Sequence, residues 1–198
     1  MSARPYALKL MDVLHHLSAR CNHDAHPLLD NRDGNRWLIL VVTADRGLCG
    51  GFNGNITKKA IQVISDNNDK EIQLITAGKK GYASFKNKKN KILHDHSGWT
   101  RNFDYLKAAE IGSTLSTLFS EKSIDRVYVL YNEFKSVMQQ EVILEQLLPI
   151  VPEKLDTGKA SMSIVDYIYE PEEEAILNTL LERYMTVEVY RAFLESSA

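Results

Sequence analysis

The sequence has little of what marks several common classes of protein. Its 198 residues include only two cysteines, Cys21 and Cys49, which is too few for a disulfide framework and typical of a reducing compartment. The longest apolar run, Trp37 to Val42, is far shorter than the roughly 20 residues that span a bilayer. The net charge of -2 provides no overall attraction to nucleic acid or anionic lipid. These absences argue against a disulfide-rich secreted domain, a membrane-spanning chain and a nucleic-acid-binding protein.

The order of apolar residues alternates between strand and helix patterns. The run from Trp37 to Thr43 is continuous and rich in β-branched residues, which is typical of a strand buried on both faces of a parallel sheet. The predicted strands are 37–43, 71–76, 91–93, 126–131, 140–148 and 161–169, and the predicted helices between them are 53–65, 79–85 and 101–120. This alternation predicts an α/β fold with a Rossmann-like, mostly parallel sheet flanked by helices.

Helical stripes of apolar residues mark both ends of the chain. They comprise Ala3, Ala7, Leu10, Leu14 and Leu17 at one end, and Leu177, Leu180, Leu181, Tyr184 and Met185 at the other. Spacings of three and four residues place each set on one face of a helix, so we expect the two helices to pack as a short coiled-coil stump. We predict one domain, 1–198, in which 1–20 and 171–198 belong to longer helices and 36–169 form the α/β core.

The turn after the first strand, from Thr43 to Asn53, is the most distinctive segment. In a doubly wound sheet, a glycine-rich loop at this place can bind a phosphate. The glycines at 47, 50 and 51 match neither the dinucleotide spacing nor a P-loop, however. The alternative interpretation is a sharp turn whose glycines adopt positive φ, with Asn53 as the N-cap of the next helix.

Other polar groups offer only partial sites. Cys21, His23 and His26 are ligand types that zinc or nickel accepts, but their spacing matches no standard zinc site. His94 and His96 are considered as metal ligands in the same way, and the alternative is that they lie in a polar loop. The lysines between 79 and 91 are typical of a solvated face. We therefore assign no catalytic residue, no cofactor and no metal, and interpret the chain as a structural or interaction domain.

The segment T-A-D-R-G-L-C-G-G-F-N, residues 43–53, strongly resembles the signature of the γ subunit of F-type ATP synthases. Segments 3–7, 166–171 and 180–198 are similar to the same family, in the same order along the chain. Family members begin with a long basic helix and end with a longer one, and these wind together as a shaft. The resemblance therefore implies a γ globular domain that lacks most of the shaft. The chain also lacks the cysteine-bearing insert of chloroplast members, which indicates a bacterial source.

The resemblance implies a non-catalytic rotor subunit of the central stalk, which couples rotation of a membrane ring to ATP synthesis or hydrolysis at the β subunits. The implied partners are ε, α, β and the c-ring, at the cytoplasmic face of the bacterial inner membrane and without membrane insertion. The residues implied to face β are Asp45, Arg46, Gly47, Leu48, Cys49, Gly50 and Gly51, and those implied to face ε and the ring are Tyr167 and Tyr169. Without the rest of the shaft, the chain is not expected to support coupled rotation. The alternative function is a small Rossmann-like nucleotide-binding or hydrolytic domain that uses the same loop.

Overall fold

Five strands form a single sheet. The computed structural model describes residues 10, 13–14, 26–47, 51–101, 103–136, 139–151 and 173–197. The strands are β1 (Arg36–Val42), β2 (Glu71–Ala77), β3 (Ile92–His96), β4 (Arg126–Ser136) and β5 (Gln139–Leu148), in the spatial order β3-β2-β1-β4-β5. β1 to β4 are parallel, and β5 is antiparallel to β4. The predicted α/β fold with a mostly parallel sheet is confirmed.

Helices cover both faces of the sheet. They are α1 (Phe52–Asp66), α2 (Lys79–Phe85), α3 (Tyr105–Ser120) and α4 (Glu173–Ser197). The apolar residues of α3 and α4 share one buried cluster, whereas those of α1 and the end of α2 share the other. β1 supplies both clusters, since Leu38 and Leu40 point to the first and Ile39 and Val41 to the second. The continuous apolar run of β1 is thus explained by a strand buried on both faces.

Three element boundaries differ from the prediction by three residues or more. The fourth strand was expected at 126–131 but extends over Arg126–Ser136. The third strand was expected at 91–93 but extends over Ile92–His96, so His94 and His96 lie on a strand and not in a polar loop. The helix expected from Arg101 begins at Tyr105, because the Asp104 carboxylate caps it by accepting a 2.8 Å hydrogen bond from the Lys107 amide. Residues Trp99–Arg101 instead form a short 3₁₀ turn.

Few residues of the predicted N-terminal helix are described. Leu10 and Leu14 are helical and buried in the same cluster as Leu177 and Leu181. That shared cluster is what a packed stump of two helices would produce, although the bounds of the N-terminal helix lie outside the described residues. The predicted strand 161–169 also lies outside them. Among the helices that the structure describes, none is long and apolar enough to cross a membrane.

The close approach of α3 to α4 depends on Gly112. A β-carbon at this position would lie 3.3 Å from the Thr186 amide nitrogen and 3.4 Å from the Met185 carbonyl carbon. Both neighbours are backbone atoms of α4, which cannot turn aside as a side chain could.

We expect Gly112→Val to lower the free energy of unfolding by about 1–3 kcal/mol, because the added methyl groups would force the helices apart. Urea denaturation measures the change. Gly54→Ala is the matched control, since that glycine lies in α1 with no atom within 4 Å of its β-carbon position. The control should raise stability by about 0.5–1 kcal/mol through helix propensity. Equal stability of Gly112→Val and the wild type would contradict the close approach.

Candidate functional site

The turn after β1 is organised around the carboxylate of Asp45. Its Oδ1 accepts hydrogen bonds from the amides of Gly98, at 2.6 Å, and Lys79, at 3.1 Å. Its Oδ2 accepts from the Thr100 amide, at 3.1 Å, and the Thr100 hydroxyl, at 2.5 Å. Gly98 and Thr100 belong to the turn after β3, and Lys79 begins the helix after β2. One side chain thus ties together the carboxyl ends of three adjacent parallel strands.

Thr43 makes a second set of bonds at the same edge. Its hydroxyl donates to the Ala77 carbonyl at 2.9 Å and accepts from the Gly81 amide at 2.8 Å. Its carbonyl accepts from the indole nitrogen of Trp99 at 2.7 Å. A β-carbon on Gly78 would lie 2.1 Å from that carbonyl oxygen, and Gly78 has a φ of 94°. Only glycine fits there, so the turn after β2 can close against β1.

Asn53 closes the turn from the other side. Its Oδ1 accepts from the Ala44 amide at 2.9 Å, and its Nδ2 donates to the Arg46 carbonyl at 3.1 Å. The prediction that Asn53 is the helix N-cap is therefore wrong, because α1 begins one residue earlier and Gly51 occupies the cap position. The prediction of positive φ is also wrong for Gly47 and Gly51. Among the glycines that the structure describes, those with positive φ are Gly78 and Gly98, in the neighbouring turns.

An aromatic cluster connects this edge of the sheet to α4. Trp99 packs edge-on against Phe193 of α4, with ring centroids 4.7 Å apart, and Phe103 stacks on the same Phe193 ring at 4.3 Å. Tyr190 of α4 contacts both Phe103 and Tyr105, with centroids 5.7 Å apart in each pair. Since Trp99 also bonds Thr43, the turn after β1 is joined to the C-terminal helix through rings packed at contact distance.

The outer surface of this edge is basic. Arg46, Gly47, Lys79 and Lys80 are exposed, and the Lys80 ammonium lies 3.3 Å from the β-carbon position of Gly47. From the sequence alone, the lysines of 79–91 are expected only on a solvated face. The structure brings the first two beside Arg46, a placement that spacing alone could not reveal because it depends on the pairing of β1 with β2.

The remaining predicted residues are placed as follows. Leu48, Cys49, Gly50, Tyr167 and Tyr169 lie outside the described residues, as do Cys21 and His23. His26 uses its Nδ1 to accept from the Leu28 amide at 3.1 Å, as the cap of the 3₁₀ turn Pro27–Leu29. Within the described ranges, no group of three metal-ligating side chains converges.

The geometry argues against a phosphate site at Asp45. The amides of Gly98, Thr100 and Lys79 already donate to a carboxylate of this chain and are not available to a phosphate, whereas residues 48–50 of the glycine-rich turn lie outside the described residues. Partial burial tends to raise the pKa of Asp45, but the hydrogen bonds from Thr100, Gly98 and Lys79 together outweigh it, and the pKa lies below its usual range. Asp45 is therefore a fixed, partly exposed anion.

Comparison with known proteins assigns the family. The model of the ATP synthase family matches residues 1–198. The ATP synthase gamma chain of Geobacter sp. (strain M21) is 42% identical over 200 residues, which cover 100% of this chain and 68% of the relative. That of Chlorobium phaeobacteroides (strain BS1) is 39% identical and is covered to 69%. The chain belongs to the ATP synthase γ-chain family.

The solved structures agree on the fold. The central stalk and c-ring structure of Tetrahymena thermophila mitochondrial ATP synthase matches with a TM-score of 0.67 at 23% identity, over 98% of this chain and 91% of that one. The rotor of Euglena gracilis mitochondrial ATP synthase matches with a TM-score of 0.55 at 14% identity, over 98% and 78%. The γ chain is a non-catalytic rotor subunit of the ATP synthase complex, so the predicted family and role are confirmed, and this chain is not an enzyme on its own.

We expect Asp45→Asn to lower the free energy of unfolding at pH 7 by about 1–3 kcal/mol, because the amide group cannot accept the hydrogen bonds that Oδ2 receives. The folded pKa of Asp45 is depressed, so its contribution is complete above the unfolded value of about 3.9 and is lost as the pH falls through the folded pKa. The difference between wild type and variant should therefore shrink below about pH 4.

Urea denaturation between pH 3 and pH 7 checks this expectation. The exposed Asp33 provides the control, and Asp33→Asn should leave stability within about 0.5 kcal/mol of the wild type. A deficit for Asp45→Asn that stays constant down to pH 3 would show that the charge of the carboxylate is not the source of the stability.

Proposed function

We propose that the turn from Asp45 to Gly51, with Lys79 and Lys80 beside it, is the surface by which this γ chain meets the β subunits. A surface that receives force must hold its shape. The hydrogen bonds to Asp45, Thr43 and Asn53 support this proposal, since they fix the turn to β2, β3 and α1. The exposed cations of Arg46, Lys79 and Lys80 favour an acidic partner segment.

The orientation of the whole domain follows from that proposal. The last turn of α4 lies at the same edge as the turn after β1, since the Asn132 and Phe134 amides of β4 donate to Ser196 and Glu195 of α4. The opposite edge carries the segments that precede β1 to β4, with the exposed residues Lys86, Lys88, Lys89 and Lys91. We infer that this amino edge faces the ε subunit and the c-ring, and that Tyr167 and Tyr169 belong to that side.

In this arrangement the sheet and its helices serve as the foot of the rotor. We propose that α4 and the N-terminal helix belong to the shaft that passes toward the α and β subunits, and that the complex stands at the cytoplasmic face of a bacterial membrane. A sheet covered on both faces is packed to the density of a solid, so it can pass rotation from the ring to α4 with little deformation. The single observation that carries the proposal is the rigid, basic turn around Asp45, joined through Trp99 and Phe193 to α4.

Photo-crosslinking in the assembled ATP synthase tests the proposal. With a photo-crosslinking amino acid in place of Arg46, we expect a product with β and none with the ring. The same group in place of Lys89, at the amino edge, is the matched control and should yield products with ε or the ring and none with β. The reverse pattern would contradict the orientation, and products with neither set of partners from Arg46 would contradict the surface itself.

The alternative, a nucleotide site at the same turn, makes a different prediction. It requires thermal stabilisation by ATP or ADP, which the proposed β-facing surface does not. A shift of the melting temperature with nucleotide in the isolated chain would favour the alternative.

A further inference from the structure

A partly buried cluster of charges joins α4 to β4 and β5. The Nη2 of Arg191 donates to both carboxylate oxygens of Glu145 on β5, at 2.7 and 2.6 Å. Arg191 also donates to Glu188, one turn earlier on α4, through Nε at 2.9 Å and Nη2 at 2.6 Å. Its Nη1 lies 3.2 Å from the Tyr131 hydroxyl of β4, which in turn donates to Glu145 at 3.0 Å. One guanidinium therefore joins one helix to two strands.

Placing these charged side chains between a helix and a sheet carries a desolvation cost. The side chains of Arg191 and Glu188 are 14% and 0% exposed, and Glu188 Oε1 has no hydrogen-bond partner among the described residues. Burial raises the pKa of Glu188, because the charged carboxylate is less favourable there than in water. Replacing buried ion pairs by apolar residues of similar volume often leaves stability unchanged or raises it. Stability alone therefore does not explain why charges occupy this position.

The cluster adds directional hydrogen bonds to the contact between α4 and the sheet. Tyr184, Val189 and Phe193 of α4 belong to the same buried cluster as apolar side chains of the sheet, and their burial resists separation but is less directional than a hydrogen bond. Bonds from a planar guanidinium to carboxylates are short and directional, so they fix both the position and the rotation of the helix. The Glu195 and Ser196 side chains, four and five residues further along, accept from β4 amides on the same side of α4.

We propose that Arg191 is a positioning residue that holds α4 in register with β4 and β5 under load, so that the sheet and the helix turn as one body. The inference rests on the proposed function, because a load crosses this contact only if the sheet belongs to the foot and α4 to the shaft. The proposal identifies the contact of Arg191 with β4 and β5 as one through which rotation passes from the sheet to α4.

Single-molecule pulling on the full 198-residue chain measures the property directly. Cysteines replace Lys88, at the amino edge of the sheet, and Ser197, at the end of α4, in a chain whose Cys21 and Cys49 are serine. Force between these points shears α4 along the sheet. The quantity measured is the lifetime at constant force before α4 detaches, and urea denaturation gives the equilibrium stability of the same proteins.

Three variants distinguish an effect on the register of α4 from an effect on equilibrium stability. Arg191→Met removes the guanidinium. The combined variant Arg191→Met, Glu188→Leu, Glu145→Leu replaces the whole cluster by apolar side chains. Arg36→Met is the matched control, because Arg36 makes a comparable two-bond pair with Asp125, at 2.9 and 2.7 Å, that does not involve α4. The control and the Gly112→Val variant define how lifetime depends on stability when the cluster is intact.

At a given equilibrium stability, the controls define an expected lifetime. We expect both cluster variants to have lifetimes about ten-fold or more shorter than that value, since each loses several charge-assisted hydrogen bonds to the sheet. For the triple variant this should hold even where its equilibrium stability equals or exceeds the wild-type value. Lifetimes that fall on the dependence set by the controls would overturn the proposal, because the cluster would then act only through stability. If Arg191→Met does not fold, the triple variant decides the outcome alone.

The pulling experiment is independent of the partner proteins. A negative result in the pulling experiment would not contradict the proposed β-facing surface. A failure of the photo-crosslinking would leave the mechanical property of Arg191 intact but remove its place in the rotor.

Discussion

The carboxylate of Asp45 is the interaction on which the carboxyl edge of this domain depends. Three parallel strands end there, and each is followed by a turn with amides that need acceptors. Asp45 satisfies amides from the turns after β2 and β3 while its own turn is closed by Asn53. The described part of the turn after β1 is thereby fixed to the turns beside it and to the start of α1. A Rossmann-like fold, which is common among nucleotide-binding proteins, can therefore serve in a non-catalytic rotor subunit.

The rigidity of that turn extends into α4. Thr43 bonds Trp99, Trp99 and Phe103 pack on Phe193, and Tyr190 completes the aromatic cluster. Arg191, between Tyr190 and Phe193 in sequence, joins the helix to β4 and β5. The helix is therefore held by ring packing and by charge-assisted bonds within one turn. Because packed interiors deform little, a displacement of the turn after β1 is passed to α4 and not absorbed between them.

Much of the fold could be predicted from the sequence, because its signals are local. The apolar run of β1 and the helix Lys79–Phe85 were placed correctly, and the 43–53 signature identified the family. The site itself was not predictable in this way. The donors to Asp45 are 34, 53 and 55 residues away, and they converge only after β1, β2 and β3 have paired in parallel. For the same reason, positive φ was expected in the glycine-rich turn, whereas it occurs at Gly78 and Gly98, where the neighbouring turns close against Thr43 and Asp45.

Native-state hydrogen exchange tests most directly whether the turn and the helix form one body. The relevant amides are those of Lys79, Gly98 and Thr100, which donate to Asp45, and those of Tyr184 and Phe193 at the centre and end of α4. The account predicts that both sets exchange with the same free energy and the same dependence on denaturant, as one cooperative unit. It would be contradicted if the amides bonded to Asp45 exchanged through a local opening, insensitive to denaturant, while those of α4 stayed protected.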